Sequence, residues 1–476
     1  MARARKITPE PSTYFHYVSI PGGCGGGNRG TRYNRAFAVE DVPFLTILGG
    51  GPGGLAAGFY ARKLGRTCCI LEASDRTGGH CVTEERGAFR FDRGAHRFHD
   101  KDAEITSEVR ALLGDELARV SLGSAIYDRG RFLTFPPSPQ QLLSHLGPVQ
   151  FASAAAGALT AKATMPRVPQ HFEGFARRAY GSSIARLFLL NYSEKLWGTP
   201  CDTLSPRVSG GRLRGLQLST LLSRNGNRAQ HLDGAFYYPR GGYGRIVEKL
   251  AEACGPDAIR CAARVTRLTH EGGRITHVEV NGRERSPVHR VAATLPLGLT
   301  LKLLDPAPPD DILSLAESLR FRHVVLVAWF LSRPRVTDHA TVYFPDAAVP
   351  FTRVYEPLHR SAEMSPPGHT SLVAEIPCDG ADAVWTADDE SVVRMAQPTL
   401  EAMGWVTPDT VLGTSIVRLS HAYPVLTLDA ARAAAEIVRY LGRFENLHLL
   451  GRNGLFHYGW LHTVMRMAKT LVDELA

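Results

Sequence analysis

An apolar run, Phe44-Leu45-Thr46-Ile47-Leu48, leads straight into three glycines, Gly49, Gly51 and Gly54, at the spacing G-x-G-x-x-G. An Ala-rich helical pattern from Leu55 to Leu64 follows and closes at Gly65. A second apolar run, Cys68-Cys69-Ile70-Leu71, then ends in Glu72. Strand, glycines, helix, strand and acid in this order constrain the fold more than any other stretch. Gly49 permits the tight turn out of the strand, Gly51 a close backbone approach to a pyrophosphate, and Gly54, with Gly58 one turn on, close packing of helix on sheet. The helix N-terminus aims free N–H groups and a positive dipole end at the diphosphate. Glu72 can accept both ribose hydroxyls and would repel a 2′-phosphate, which argues against NADP in this site.

The following residues distinguish FAD from NAD. Glu72-Ala73-Ser74-Asp75-Arg76-Thr77-Gly78-Gly79 resembles the E-A-x-D-R-x-G-G run of FAD-dependent amine oxidases, protoporphyrinogen oxidases and their relatives. Asp92-Arg93-Gly94-Ala95-His96-Arg97-Phe98-His99 resembles the D-x-G-x-H-R-F segment of protoporphyrinogen-oxidase-like proteins, and equally the G-x-H-x-F-H segment of UDP-galactopyranose mutases. Tyr192-Ser193-Glu194-Lys195-Leu196-Trp197-Gly198 is similar to a Y-x-x-K-x-W-G segment of both branches. Tyr238-Pro239-Arg240-Gly241-Gly242-Tyr243-Gly244 resembles the turn by which these proteins return to the cofactor domain. Gly451-Arg452-Asn453-Gly454, with Tyr458, resembles their C-terminal signature facing the flavin ring. Leu461-His462 departs from the M-D that relatives carry, losing a carboxylate and gaining a titratable ring.

The resemblance covers about Pro43 to Ala476 and implies an α/β fold. It comprises a Rossmann-like FAD-binding domain, discontinuous in sequence, with an interleaved α+β substrate domain. The expected FAD domain is 43–100 with 230–300 and 441–476. The substrate domain is 101–229, mainly helical, with 301–440, a mixed sheet. Residues 1–42 read as a Gly-rich, flexible extension. FAD is then expected against Gly49, Gly51, Gly54, Glu72, Ala73, Arg76, Gly78, Gly79, His96, Val265, Gly451, Arg452, Tyr458, Leu461 and His462. Trp197 is expected as an aromatic wall of the substrate pocket, or else as a core residue. Arg353, Tyr355 and Tyr423 match residues that hold a sugar-nucleotide diphosphate in the mutase branch. His96, Arg97 and His462 complete the catalytic candidates, the two histidines as bases for an alcohol donor.

Composition narrows the function classes further. At 476 residues the chain suits two connected domains, and 44% apolar with 21% charged residues is ordinary for a globular protein. The net charge of +9 comes from scattered arginines without a basic block, which points away from nucleic acid and toward an anionic cofactor or substrate. The eight cysteines show no metal-like spacing and read as thiols. No run reaches membrane-spanning length and no signal-peptide core is present, so the expectation is a cytoplasmic enzyme with a small-molecule substrate and no metal.

Local patterns place further elements. Asp102 to Ala118 reads as a helix with Ile105, Val109, Leu112, Leu113 and Leu117 on one stripe. Ala125 to Tyr127 and Arg131 to Pro136 read as a hairpin, and about 140–222 as largely helical. Within it, Phe151 to Met165 is Ala-rich and low in charge. It reads as a buried helix, with a channel lining or a membrane-surface contact as the alternatives. Three reactions remain open on this reading. The first is oxidation of a small substrate by hydride transfer to flavin N5. The second is a non-redox isomerase of the UDP-galactopyranose mutase type, in which reduced flavin acts as a covalent nucleophile. The third is flavin binding without turnover.

Overall fold

The computed structural model describes residues 42–209 and 235–476. The expectations for the Gly-rich stretch up to residue 41 and for helix beyond residue 209 lie outside the described residues. The opening motif forms β1 (Leu45–Leu48), α1 (Pro52–Lys63) and β2 (Cys68–Leu71). Every residue of both strands is buried. Strands covered on both faces by helices read as continuous apolar runs, not as alternating ones.

These strands belong to a five-stranded, all-parallel sheet in the order Leu447–Leu449, Val291–Ala293, β1, β2, Ile259–Arg260. Leu48 lies opposite both Ala293 and Leu71, and Ala293 opposite Leu449. The carboxyl ends of three strands therefore emerge side by side at Gly49, Thr294 and Leu450. That edge is where ligands bind in open parallel sheets.

A second sheet has seven strands in the order Val411–Pro424, Phe321–Leu331, Thr370–Cys378, Arg353–Tyr355, Thr341–Tyr343, Ser124–Asp128, Arg131–Phe135. It is antiparallel except where Thr341–Tyr343 runs parallel to Ser124–Asp128. Its long second strand Phe321–Leu331 is buried throughout from Val324 onward, since sheet partners lie on both sides and side chains pack over both faces. The strand Leu117–Ser121 pairs with Ala235–Pro239 in a separate ribbon.

Two expectations change. The helix after Asp102 spans only Ala103–Leu113, with the Asp102 side chain accepting the Ile105 N–H as its cap. Gly114 turns at φ +52 and Leu117 starts a strand, so Leu117 is not on the helical stripe. The Ala-rich helix spans Pro148–Thr164 and is not buried: only Ala154 and Ala158 are. A narrow strip seats on the neighbouring turn, where a Cβ on Gly181 would come within 2.8 Å of Ala158 Cα. Low charge marked the helix as apolar; it could not say how much of its circumference would be covered.

Candidate functional site

Gly49 leaves β1 at φ +103, and its N–H donates to Leu71 O at 2.8 Å. A Cβ on Gly54 would overlap the Gly49 carbonyl oxygen, so α1 rests directly on the turn. Gly51 is different: a Cβ there would meet no atom within 4 Å. Packing inside the protein thus accounts for the glycine at 54, whereas the space at 51 is open. Glu72 lies alongside, accepting the Gly50 N–H at 2.7 Å and the Ser74 N–H at 2.8 Å. A carboxylate offers about four acceptor positions, so hydroxyls of a ribose can still be received.

The paired glycines close over this loop. Gly78 N–H donates to Gly50 O at 2.9 Å, and a Cβ on Gly79 would lie 3.3 Å from Gly51 Cα. Ala73 and Arg76 are exposed beside the loop, and Arg76 pairs with buried Glu84 at 2.6 Å. Burial alone would raise the Glu84 carboxyl, but Arg93, Arg76 and Arg86 outweigh it and hold it below its ordinary range. Val265 opens its strand half-buried; the Glu72 backbone is bonded instead to Arg260, whose carbonyl accepts the Glu72 N–H at 2.9 Å, and to Ala263, whose N–H donates to Glu72 O at 2.8 Å.

The C-terminal segment supplies another wall. A Cβ on Gly53 would lie 3.3 Å from Val464 Cγ1 and 3.7 Å from Gly451 Cα. The first turns of α1 and of the helix Leu461–Leu475 therefore meet at Gly451. That helix begins at Trp460 without a side-chain cap, leaving first-turn N–H groups and the positive dipole end available. Leu461 and His462 occupy its first two positions, both buried. His462 lies near Trp460, with ring centroids 5.4 Å apart; burial, reinforced by Lys101, pushes its pKa down to about 4.

A cluster of polar and aromatic side chains adjoins this wall on the seven-stranded sheet, with Trp197 and Tyr458 buried. Arg353 and Glu375 are direct cross-strand partners, with Arg353 Nε donating to Glu375 Oε2 at 2.7 Å. Glu375 Oε1 accepts the Ala95 N–H at 2.8 Å, which ties down the loop carrying His96. Burial opposes the charge of Arg353, but the Glu375 carboxylate more than offsets it and keeps the guanidinium firmly protonated. Arg353 Nη2 donates to Tyr423 OH at 3.0 Å. The rings of Tyr423 and Tyr458 lie 6.1 Å apart at 28°, and Trp197 stands edge-on to both at 5.8 and 6.0 Å. Arg452 lies over both tyrosines, 5.6 and 4.9 Å from their centroids.

His96 stacks on Tyr243 at 4.9 Å, and its Nδ1 is buried with no hydrogen-bond partner among the described residues. Burial first, then Arg353 and Arg452, push its pKa down to about 3, so the ring is neutral at pH 7. The remaining motif residues are braces. Buried Asp92 accepts from Thr83 Oγ1 at 2.7 Å, Tyr238 OH at 2.5 Å and the Tyr243 N–H at 2.9 Å. Lys195 Nζ donates to the carbonyls of Phe344, Asp346 and Phe351 at 3.0, 2.8 and 2.6 Å, latching the helix Asn191–Trp197 that presents Trp197.

Of the catalytic candidates, the structure brings together His96, Trp197, Arg353 and Tyr423, with Tyr458 and Arg452. It does not bring in three others. Arg97 Nη2 donates to Ser124 Oγ at 2.6 Å and Thr341 Oγ1 at 3.0 Å, with the guanidinium over Phe236. Tyr355 is fully buried and donates to Asp92 O at 2.6 Å. His462 has Lys101 and Asp102 as its charged neighbours, not the arginines around His96. Sequence reasoning missed Glu375, whose only signal is a lone acid inside the apolar run Leu372–Ile376. It also missed His80, directly after the paired glycines, which shares Arg452 as a neighbour with His96; burial pushes its pKa down to about 4. Among the described residues no His, Cys, Asp and Glu group could hold a metal.

The residues fit an adenine-linked diphosphate cofactor: open space at Gly51, an acid with acceptor positions to spare, and an uncapped helix end. The model of flavin-containing amine oxidoreductases matches residues 52–424, more than three quarters of the chain. Phytoene dehydrogenase of Streptomyces griseus is 24% identical over 309 residues, covering 56% of this chain and 57% of that protein. Chloroplastic protoporphyrinogen oxidase 1 of Spinacia oleracea is 23% identical over 322 residues, covering 61% and 56%. The chain thus spans little more than half the length of these curated relatives. A crystal structure of reduced UDP-galactopyranose mutase shares the fold with a TM-score of 0.77 at 18% identity, covering 91% of this chain and 95% of that one. The chain belongs to the family of flavin-containing amine oxidoreductases, with FAD as its cofactor.

Proposed function

We propose that this protein oxidises a neutral or anionic, largely apolar small molecule held against Trp197, Tyr423 and Tyr458 and oriented by Arg353. The charge balance of the cluster carries this reading. Two guanidiniums, Arg353 and Arg452, stand beside three aromatic rings, while the nearby carboxylates Glu375 and Asp92 are already engaged by protein donors. Glu375 offsets the charge of Arg353, so the bias against a cation comes from Arg452: a like charge about 6 Å away at an effective dielectric near 20 is repelled by about 3 kcal/mol, which disfavours a cationic amine relative to a carboxylate or an uncharged donor. When bound, FAD supplies the acceptor for the hydride that leaves a substrate C–H bond.

His96 acts as a neutral hydrogen-bonding group beside the substrate. With its pKa near 3 it is too weak a base to hold an alcohol proton at neutral pH, which favours donors that need no strong base. Glu375 fixes the positions of Arg353 and of the His96 loop at once. One curated relative is named a dehydrogenase and the other an oxidase, which supports oxidation over isomerisation. The test is steady-state oxidation of matched diamine, uncharged and carboxylated donors. Arg353→Met should raise KM for anionic donors about tenfold or more, the weight of one lost charge-assisted hydrogen bond, and barely affect uncharged ones. A preference for the diamine would refute the proposal.

The arrangement of Arg353, Tyr423 and Arg452 also favours a second reading, an isomerase acting on a sugar nucleotide. Those groups suit a diphosphate as well as a carboxylate. Conversion of UDP-galactopyranose by the reduced protein, with no net consumption of electrons, tests it.

A further inference from the structure

Five of the eight large apolar side chains exposed among the described residues fall between Phe132 and Val168: Phe132, Leu143, Val149, Leu159 and Val168. Val149 and Leu159, both on the helix Pro148–Thr164, are 81% and 68% exposed. Along that helix Val149, Ala152, Ala156, Leu159 and Ala163 recur at i, i+3, i+7, i+10 and i+14, and all five are exposed. The spacing gathers them into one apolar stripe roughly 20 Å long. Ala154 and Ala158, which seat the helix on the protein, lie on the opposite side.

Along the chain on either side of the stripe the charges have a single sign. No Asp or Glu occurs from residue 129 to residue 172, whereas Arg129, Arg131, Lys162 and Arg167 do, and all four are exposed. We propose that the face of the helix Pro148–Thr164 docks this protein on an anionic lipid bilayer, the apolar stripe entering the headgroup boundary and the flanking cations meeting lipid phosphates. An apolar face framed by cations suits an interfacial helix lying in the plane of a membrane. Its 17 residues reach about 25 Å, short of a bilayer core, and no helix of the described residues is long and apolar enough to cross one. A face meant for a second copy of the chain would bring like cations together.

Co-sedimentation of the FAD-loaded protein with vesicles of phosphatidylcholine, alone or doped with phosphatidylglycerol, tests this. Binding is expected to the doped vesicles at about 0.1 M salt and to fall sharply near 1 M, as screening shortens the reach of the cations. Leu159→Asp and Val149→Asp should each cut partitioning about tenfold or more, with flavin absorbance and thermal midpoint unchanged. The pair Lys162→Gln and Arg167→Gln should weaken binding to doped vesicles only. Failure to bind doped vesicles, or equal binding by Leu159→Asp, overturns the proposal. A concentration-dependent dimer that Leu159→Asp dissociates, seen by sedimentation velocity, also overturns it by assigning the face to a second copy.

Discussion

Substituting Gly51 by valine should separate the cofactor from the fold. Gly51 lies at φ −74 and ψ −176, extended backbone that any residue adopts, and a Cβ there would meet no atom within 4 Å. The apo protein should therefore lose no more than about 0.5–1 kcal/mol of stability. The same side chain fills the space in which a diphosphate would approach the backbone. Losing two charge-assisted hydrogen bonds at about 1.5–3 kcal/mol each amounts to about 3–6 kcal/mol, or roughly a 100-fold to 10,000-fold weaker affinity for FAD. The assay is the ratio of flavin to protein absorbance after gel filtration, together with the melting temperature of the apo form. Gly54→Ala provides the contrast, because its Cβ overlaps the Gly49 carbonyl oxygen and should destabilise the protein with or without cofactor. A fully loaded, yellow Gly51→Val protein would refute the placement of the diphosphate. An apo form as destabilised as Gly54→Ala would refute the open space.

Glu375→Ala leaves the Arg353 guanidinium buried without its carboxylate, which should cost about 3–5 kcal/mol of stability in urea denaturation; a loss below about 1 kcal/mol would show the pair to be solvated. Tyr423→Phe removes the oxygen that accepts from Arg353 Nη2 while keeping the ring, so KM for anionic donors should rise with folding stability nearly unchanged. The pH dependence follows from His96, whose folded-state pKa is lowered from 6.5 to about 3. Below pH 6.5 the unfolded chain binds a proton that the folded one does not, so the contribution is complete above pH 6.5 and is lost as pH falls toward 3. Its slope is about 1.4 kcal/mol per pH unit, and His96→Asn should flatten the acid limb of the stability curve by that amount.

The cofactor half was legible because its signals are local. Gly49, Gly51, Gly54 and Glu72 lie within one βαβ unit, where spacing alone sets their relations, and the doubled Gly78-Gly79 follows within seven residues. The cluster was legible only in part. Arg353 and Tyr423 stood out, yet Glu375 did not, because its meaning comes from cross-strand register: the strand Thr370–Cys378 must pair with Arg353–Tyr355 before the acid finds its arginine. Arg97 and Tyr355 looked functional from their neighbours in the chain, but each turns its polar end onto a buried protein group. The helix Pro148–Thr164 shows a further limit. Alanine carries little information about which side is covered, so burial was read from composition where tertiary packing decides it.

Anaerobic mixing of the FAD-loaded protein with uncharged and carboxylated hydrogen donors, followed by addition of UDP-galactopyranose before and after reduction with dithionite, tests the redox claim most directly. A donor of one of these classes should bleach the oxidised flavin band, and no furanose should form from the sugar nucleotide in either state. Furanose appearing only from the reduced protein, with no donor able to bleach the flavin, would contradict that claim.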